Sequence, residues 1–251
     1  MKSSRYILPT IIILISLAIQ FGPRWTSNSH SGSSEPIVSA CIEQQIQLTD
    51  TNRLTTRNWV TFSNYRTYCG NYTSSEIQYA EAKDFRDNYF NIWYTSNGER
   101  WGMLYESMFE REKDLLLPLI DTLLTIKQAN RLNRTDFANV VVAFVQDIPY
   151  CYIKSENDCD AREYKEFDCL AGQKWGLLSP IEFVHTLKGD CDTRTLLLYS
   201  LFKQLGYSPK IVNSDVYLHS MLLLDIPSGG KYLTYNNERF YFWETTAKGY
   251  I

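Results

Sequence analysis

The sequence has few histidines and almost no excess charge. It contains 3 histidines in 251 residues, and its 25 Lys and Arg residues nearly balance its 28 Asp and Glu residues, for a formal net charge of −3. A chain of this kind lacks the strongly basic surface that binds polyanions, so we expect no nucleic-acid partner. Because histidine is scarce, any site that needs an imidazole base has few candidates.

Cysteine is also sparse, and no internal repeat is visible. Six cysteines are too few for a disulfide-dense scaffold but enough for one or two bridges in an oxidising compartment. We expect a bridge between Cys159 and Cys169, and Cys41 and Cys69 are the candidates for a second one. The first pair could instead bind zinc together with Cys151 and His185, although these spacings follow no established zinc pattern. We therefore expect neither a metal ion nor a cofactor.

One long apolar run stands at the N-terminus. Lys2 and Arg5 precede apolar residues 6–21, a pattern typical of a signal peptide or an uncleaved anchor. We favour a membrane anchor over residues 1–25, because no small-residue cleavage site follows directly. The basic residues in front place the rest of the chain outside the cytoplasm, where it would be secreted or periplasmic if the segment were cleaved.

The remaining chain divides into three regions by composition. Residues 26–36 are rich in Ser and predict a flexible linker. Residues 37–130 predict a mixed, mainly helical accessory region. Residues 131–251 pass from helical spacing to period-two alternation. The fold class is therefore α+β, with a helical N-terminal part followed by a core in which a helix packs on an antiparallel β-sheet.

A single cysteine stands at the start of a predicted core helix. Gly189-Asp190-Cys191-Asp192 leads directly into an apolar run with three-and-four spacing, which Gly206 closes. The helix dipole and the free N–H groups of a first turn favour a thiolate, and the same N–H groups can stabilise an oxyanion. We therefore predict that Cys191 is a nucleophile.

A thiol nucleophile needs a base, and the base needs an orienting group. His185 lies among apolar residues of a predicted helix, whereas His219 lies within the strand predicted over residues 216–224. Glu244 interrupts a second, aromatic strand, where an unpaired carboxylate is costly. Adjacent antiparallel strands could bring Glu244 beside His219, at the spot to which the helix start points Cys191. Taken singly, the two residues could also be a half-buried histidine and the end of a strand.

This order of residues resembles the transglutaminase-like superfamily, a branch of the papain-like cysteine hydrolases. The similarity covers residues 137–244 and is best at Gly189-Asp190-Cys191 through Gly206, at His219 and at Trp243-Glu244. The resemblance implies a papain/transglutaminase-like core with Cys191 as the nucleophile, His219 as the base and Glu244 as the orienting acid. The bacterial members that it resembles are more often cysteine proteases than crosslinking enzymes.

The resemblance also implies a reaction. Cys191 would attack a peptide or carboxamide carbonyl, and the resulting thioester would pass its acyl group to water or to an amine. We expect an extracytoplasmic, membrane-anchored thiol hydrolase with a protein or peptide substrate; the alternatives are a crosslinking transglutaminase and a catalytically inactive binding domain. Asp190 and Asp192 favour the inactive domain, because negative charge opposes thiol ionisation. Three aromatic residues could line the substrate cleft or be plain core: Trp175, Tyr217 and Trp243.

Overall fold

The computed structural model describes residues 41–90, 96–159 and 167–249. The predicted anchor, residues 1–25, and the predicted linker, residues 26–36, therefore lie outside the described residues. In the part that the structure describes, no helix is both long and apolar enough to cross a bilayer. Helices are combined with antiparallel sheets, which confirms the predicted mixture of α and β structure.

The described chain begins with a sheet. Its three antiparallel strands are β1 (Gln44–Gln47), β2 (Asn52–Val60) and β3 (Thr67–Ser75), paired in chain order. The helical N-terminal part predicted over residues 37–130 therefore starts with β structure, and the order of helices first and sheet last is wrong. Two inward-facing residues of β2, Thr55 and Arg57, are polar but buried. They interrupt the apolar alternation by which a strand is recognised in a sequence.

Four helices follow this sheet. They are α1 (Glu76–Asn88), α2 (Asn97–Glu112), α3 (Leu117–Ala129) and α4 (Arg134–Asp147), and a 3-10 turn, Lys113–Leu116, joins α2 to α3. Pro118 lies in the first turn of α3, where its missing N–H costs no helical hydrogen bond. The Asn133 side chain caps α4 by accepting the N–H of Asp136 at 2.9 Å.

In the described part of the second half, two α-helices lie between a pair of short strands and a four-stranded sheet, here called the second sheet. Two short parallel strands, β4 (Cys151–Ile153) and β5 (Asp168–Leu170), precede α5 (Pro180–Thr186) and α6 (Cys191–Gln204). Four strands follow: β6 (Lys210–Ser214), β7 (His219–Leu224), β8 (Tyr232–Tyr235) and β9 (Glu238–Trp243). They form an antiparallel sheet in the order β6-β7-β9-β8. Because α6 packs against β7, the predicted contact of this helix with an antiparallel sheet is present.

One hydrophobic core joins the first sheet to α6. Trp59 of β2 meets Phe144 of α4 edge-on, with ring centroids 5.0 Å apart. Leu197 and Leu201 of α6 belong to the same buried cluster. Each such side chain contributes about 1.5–3 kcal/mol when it leaves water. The core therefore draws on residues from both sides of the division predicted at residue 130.

Two disulfide bonds link loop segments to strands. Cys41–Cys69 joins the segment before β1 to β3, and Cys159–Cys169 joins a loop to β5. The expected bridge and the candidate second bridge are both present. Since Cys159 and Cys169 are bonded to each other, the alternative of a zinc site with Cys151 and His185 is wrong. Cys151 is a free, buried thiol, and burial raises its pKa.

Buried polar contacts fix α5, the helix that leads to Cys191. Arg86 of α1 donates to both carboxylate oxygens of Glu182, at 2.7 and 2.9 Å, and both side chains are fully buried. Glu112, the last residue of α2, accepts the N–H of Ile181 at 2.8 Å. Burial raises the pKa of Glu112 to about 7. A second acid near Glu182 is therefore partly protonated at neutral pH.

We predict that Glu112→Gln abolishes a pH-dependent loss of stability. The folded pKa of Glu112, about 7, lies above its ordinary value of 4.5. The stability that Glu112 contributes is therefore complete below its unfolded pKa and is lost as the pH rises through its folded pKa. Urea unfolding should show the wild-type free energy of unfolding falling, relative to the variant, by up to about 3 kcal/mol between about pH 5 and about pH 8.

The control for this measurement is Glu110→Gln, which changes an exposed carboxylate on the same helix. Its pH curve should run parallel to that of the wild type. If the pH curve of Glu112→Gln also runs parallel to that of the wild type, the Glu112 carboxyl does not have the raised pKa described above.

Candidate active site

Cys191 is the first residue of α6, and its neighbours fix its position. Asp190 caps the helix by accepting the N–H of Thr193 at 3.1 Å. A Cβ atom added at Gly189 would lie 2.9 Å from Thr193 and 3.0 Å from the ring of Phe183, so a side chain there would force its neighbours apart. The Cys191 thiol therefore lies at a helix N-terminus, with 9% of the residue exposed.

A buried guanidinium attaches this turn to the end of α4. Arg194 donates to three backbone carbonyls: Gly189 at 3.0 Å, Val145 at 3.0 Å and Ile148 at 2.6 Å. Burial lowers the pKa of Arg194 to about 10, which leaves it cationic at neutral pH. One side chain thus satisfies carbonyl groups on both segments that flank the thiol.

The Tyr150 phenol lies beside the same turn. A β-bridge pairs Tyr150 with Gly189, and the Arg194 guanidinium lies 5.4 Å from the centre of the tyrosine ring. The phenol is hydrogen-bonded to the backbone of Cys191, and burial together with the nearby thiol raises its pKa well above the usual range. Tyr150 therefore keeps its proton and can donate it in a hydrogen bond.

His219 and Glu244 come from the second sheet. His219 begins β7, and Glu244 directly follows β9, the strand that pairs with β7. The His219 Nε2 atom lies 3.1 Å from Glu244 Oε2. Glu244 Oε1 accepts the N–H of Thr245 at 2.9 Å and the N–H and hydroxyl of Thr246 at 2.7 and 2.6 Å. Although burial opposes ionisation, the hydrogen bonds from His219 and Thr246 hold the pKa of Glu244 at about 2.

The Cys191 thiol and the His219 imidazole are also in contact. Hydrogen bonds to Cys191 and, second, to Glu244 raise the pKa of His219 to about 10, in spite of its partial burial. Since Glu244 contacts Nε2, Nδ1 remains for the thiol. His219 is therefore an imidazolium at neutral pH. Cys191, His219 and Glu244, which lie far apart in the sequence, form one hydrogen-bonded series.

Of the two aspartates that flank the thiol, Asp190 is buried and Asp192 is half-buried. Burial, followed by the charge of Asp192, raises the pKa of Asp190 to about 7, so Asp190 is only partly ionised at neutral pH. Burial also raises the pKa of Asp192, against the hydrogen bond from Ser220 and the charge of His219. The negative charge that opposes a thiolate at Cys191 is therefore smaller than two ionised carboxylates would supply.

A cleft opens beside His219, with a volume of about 270 Å³. Its lining residues come from α2, α6, β6, β7 and the turn between β6 and β7: Trp101, Tyr105, Asp192, Asn213, Ser214, Asp215, Leu218, His219 and Ser220. The cleft therefore borders the imidazole that contacts Cys191. A group bound there would lie next to the His219 imidazole.

The three aromatic residues predicted as cleft lining lie elsewhere. Trp243 is fully buried and donates its indole N–H to the Ile226 carbonyl at 3.3 Å. Tyr217 is 82% exposed, because the predicted strand over residues 216–224 begins only at His219 and Tyr217 lies in the preceding turn. Trp175 packs against Trp101, with ring centroids 6.2 Å apart. Trp175 therefore contacts a lining residue of the cleft without being one of the lining residues itself.

Trp101 and Tyr105 are the site residues that sequence reasoning missed. Both lie on α2, about ninety residues before Cys191 in the printed sequence. Their helical spacing indicates a buried face, and nothing in the sequence indicates which other element that face meets. Asn213 lies in β6, Asp215 directly follows that strand, and neither belongs to a motif.

We predict that Glu244→Gln lowers the pKa of His219. The hydrogen bond and the negative charge of Glu244 both raise that pKa, and removing an adjacent opposite charge typically moves a pKa by about 1–3 units. NMR titration of the imidazole signals would measure the change. Glu238→Gln, an exposed position in β9, is the control. An unchanged His219 titration in Glu244→Gln would contradict the contact.

Comparison with known proteins adds no relative. Searches against protein-family models, curated proteins and solved structures found no match to this chain. Among the residues that the structure describes, no group of three or more His, Cys, Asp or Glu side chains is placed to hold a metal ion. The similarity to the transglutaminase-like superfamily therefore stays a prediction from the residues, and any function has to be argued from the geometry of the site.

Proposed function

We propose that the protein is a thiol hydrolase that cleaves peptide or carboxamide bonds. The observation that carries the proposal is the hydrogen-bonded series Cys191–His219–Glu244. A nucleophile, a base and an orienting acid in contact are the arrangement that acyl transfer requires. Two features support a papain/transglutaminase-like core: α6 starts at the thiol, and it packs on the antiparallel sheet that supplies the other two residues.

The first half of the reaction forms a thioester. The Cys191 thiolate attacks the carbonyl carbon, and a C–S bond forms while the carbonyl oxygen becomes an oxyanion. The Tyr150 hydroxyl, which lies beside the first turn of α6 and keeps its proton, is available to donate to that oxyanion. The C–N bond then breaks, and the His219 imidazolium gives its proton to the departing amine.

The second half releases the acid. His219, now neutral, takes a proton from water, and the resulting hydroxide attacks the thioester carbonyl. The C–S bond breaks, the thiolate returns, and His219 is again an imidazolium. Throughout, Glu244 holds Nε2 of the ring, which keeps Nδ1 directed at the sulfur.

We also propose that the domain acts outside the cytoplasm. The two disulfides support this compartment, because such bridges persist in oxidising surroundings. The basic residues and apolar run at the N-terminus support attachment to a membrane through that segment. In such a compartment the working Cys191 must stay reduced beside two bonded pairs.

An inactive binding domain is the second candidate. The observation that favours it is the pair of buried carboxylates beside the thiol, since residual charge on Asp190 and Asp192 opposes thiolate formation. This candidate predicts that Cys191→Ser retains every function of the protein. The hydrolase predicts that the same change abolishes turnover, because a hydroxyl is a far weaker nucleophile than a thiolate.

We predict that the protein hydrolyses members of a random peptide library. Cys191→Ala and His219→Ala should lower the rate by about a thousandfold or more, whereas Cys151→Ala, at the other free cysteine, should leave it unchanged. Mass spectrometry of the products measures cleavage, and an added primary amine reports transfer in place of hydrolysis. An uncleaved library, or cleavage that survives Cys191→Ala, would contradict the hydrolase. Amine incorporation without hydrolysis would favour the crosslinking enzyme.

A further inference from the structure

The cleft beside His219 carries more negative than positive charge. Asp192 and Asp215 line it, and among its described lining residues His219 is the one side chain that can be positively charged. That charge already faces Glu244 and the Cys191 sulfur. A bound group that carries a positive charge would therefore find two carboxylates with no lysine or arginine in the lining to balance them.

The two carboxylates differ in exposure. Asp192 is largely buried and accepts the Ser220 hydroxyl, which also lies 2.7 Å from Asn213 Oδ1. Asp215 is exposed in the turn that precedes His219. One carboxylate thus lies inside the cleft and the other on its rim, where it can attract a cation from solvent.

Three lining residues supply an apolar or aromatic surface: Trp101, Tyr105 and Leu218. The rings of Trp101 and Tyr105 lie 5.7 Å apart at an interplanar angle of 40°, and aromatic faces attract cations as well as apolar groups. Leu218 is 84% exposed and has a left-handed backbone, with φ of 48°. An unstrained loop would not need this conformation, which costs of order 1 kcal/mol for such a residue. The turn therefore holds an apolar side chain at the cleft at some cost in stability.

We propose that this cleft binds a basic side chain of the substrate, a lysine or an arginine. The aliphatic stem would pack on Trp101, Tyr105 and Leu218, and the cationic head would lie near Asp192 and Asp215. Lysine and arginine are the side chains that combine an apolar stem with a positive head. An acidic side chain would meet like charge, and a neutral one would leave the carboxylates unpaired.

This inference rests on the proposed function, because the basic group matters only if Cys191 attacks a neighbouring carbonyl. His219 links the two sites: it lines the cleft and is hydrogen-bonded to the thiol. A side chain held in the cleft would therefore belong to a residue close to the bond that is cleaved. The cleft would select the substrate, and the thiol would perform the chemistry.

The test uses three alkylating reagents of matched length. Aminopentyl, pentyl and carboxybutyl iodoacetamide carry a cationic, a neutral and an anionic end, and mass spectrometry gives the rate at which each modifies Cys191. We expect the cationic reagent to react about tenfold faster than the neutral one and the anionic reagent to be the slowest. The preference should weaken as salt is added.

Two variants assign this preference to the cleft. Asp215→Asn changes an exposed residue and should lower the ratio of cationic to neutral rates by about threefold. Asp192→Asn should lower it at least as much, with circular dichroism to verify folding because Asp192 contacts Ser220. Asp50→Asn, an exposed position between β1 and β2, is the matched control and should leave the ratio unchanged.

The outcomes separate the two proposals. Equal rates for all three reagents, or a ratio that neither variant changes, would overturn the basic-side-chain site. Cleavage of the random peptide library tests the thiol chemistry independently of the cleft. If no peptide is cleaved, the proposed function fails. If peptides are cleaved while the ratio of cationic to neutral rates is one, only the cleft assignment fails.

Discussion

The Arg194 guanidinium is the contact on which the geometry of the site depends. It is buried, and its three hydrogen bonds join the Gly189 carbonyl to two carbonyls at the end of α4. A buried charge must be satisfied by neighbouring dipoles or opposite charges. The three carbonyls supply these dipoles, and their hydrogen bonds to Arg194 hold them in one arrangement. The turn that carries Cys191 is therefore held in place by Arg194, a residue of the same helix.

The second sheet supplies the other half of the site. Thr195 of α6 lies within hydrogen-bonding distance of the Ser220 carbonyl, at 3.3 Å, and of the Thr245 hydroxyl, at 3.1 Å. These two residues directly follow His219 and Glu244. One threonine, a single turn after Cys191, thus sets the distance from the helix to both strands. The positions of thiol, imidazole and carboxylate are consequences of this packing.

Charge in the site is arranged so that the imidazole is protonated. Glu244 accepts several hydrogen bonds and stays ionised, whereas burial raises the pKa values of Asp190 and Asp192. The carboxylate with the most hydrogen bonds is thus the one that contacts His219. The two aspartates, which in the sequence argue against a reactive thiol, oppose it less once their burial is known. Burial depends on tertiary packing and cannot be read from neighbouring residues.

Local patterns in the sequence predicted the helix that starts at Cys191, because an apolar period and a glycine stop are local signals. The same reasoning predicted a mainly helical region where the first sheet lies, since buried Thr55 and Arg57 hide the alternation of β2. It also misplaced Tyr217, because an apolar Val-Tyr-Leu sequence continued the strand pattern into an exposed turn. The cleft walls on α2 are a result of long-range packing, for which the sequence has no signal.

The central claim is that contacts with Cys191 and Glu244 keep the His219 imidazole protonated at neutral pH. NMR titration of the imidazole signals in the wild type and in Cys191→Ala measures this directly. The account predicts that His219 titrates at about pH 10 in the wild type and that Cys191→Ala lowers its pKa. A His219 that titrates around pH 6.5, the ordinary range for a histidine, would contradict the account.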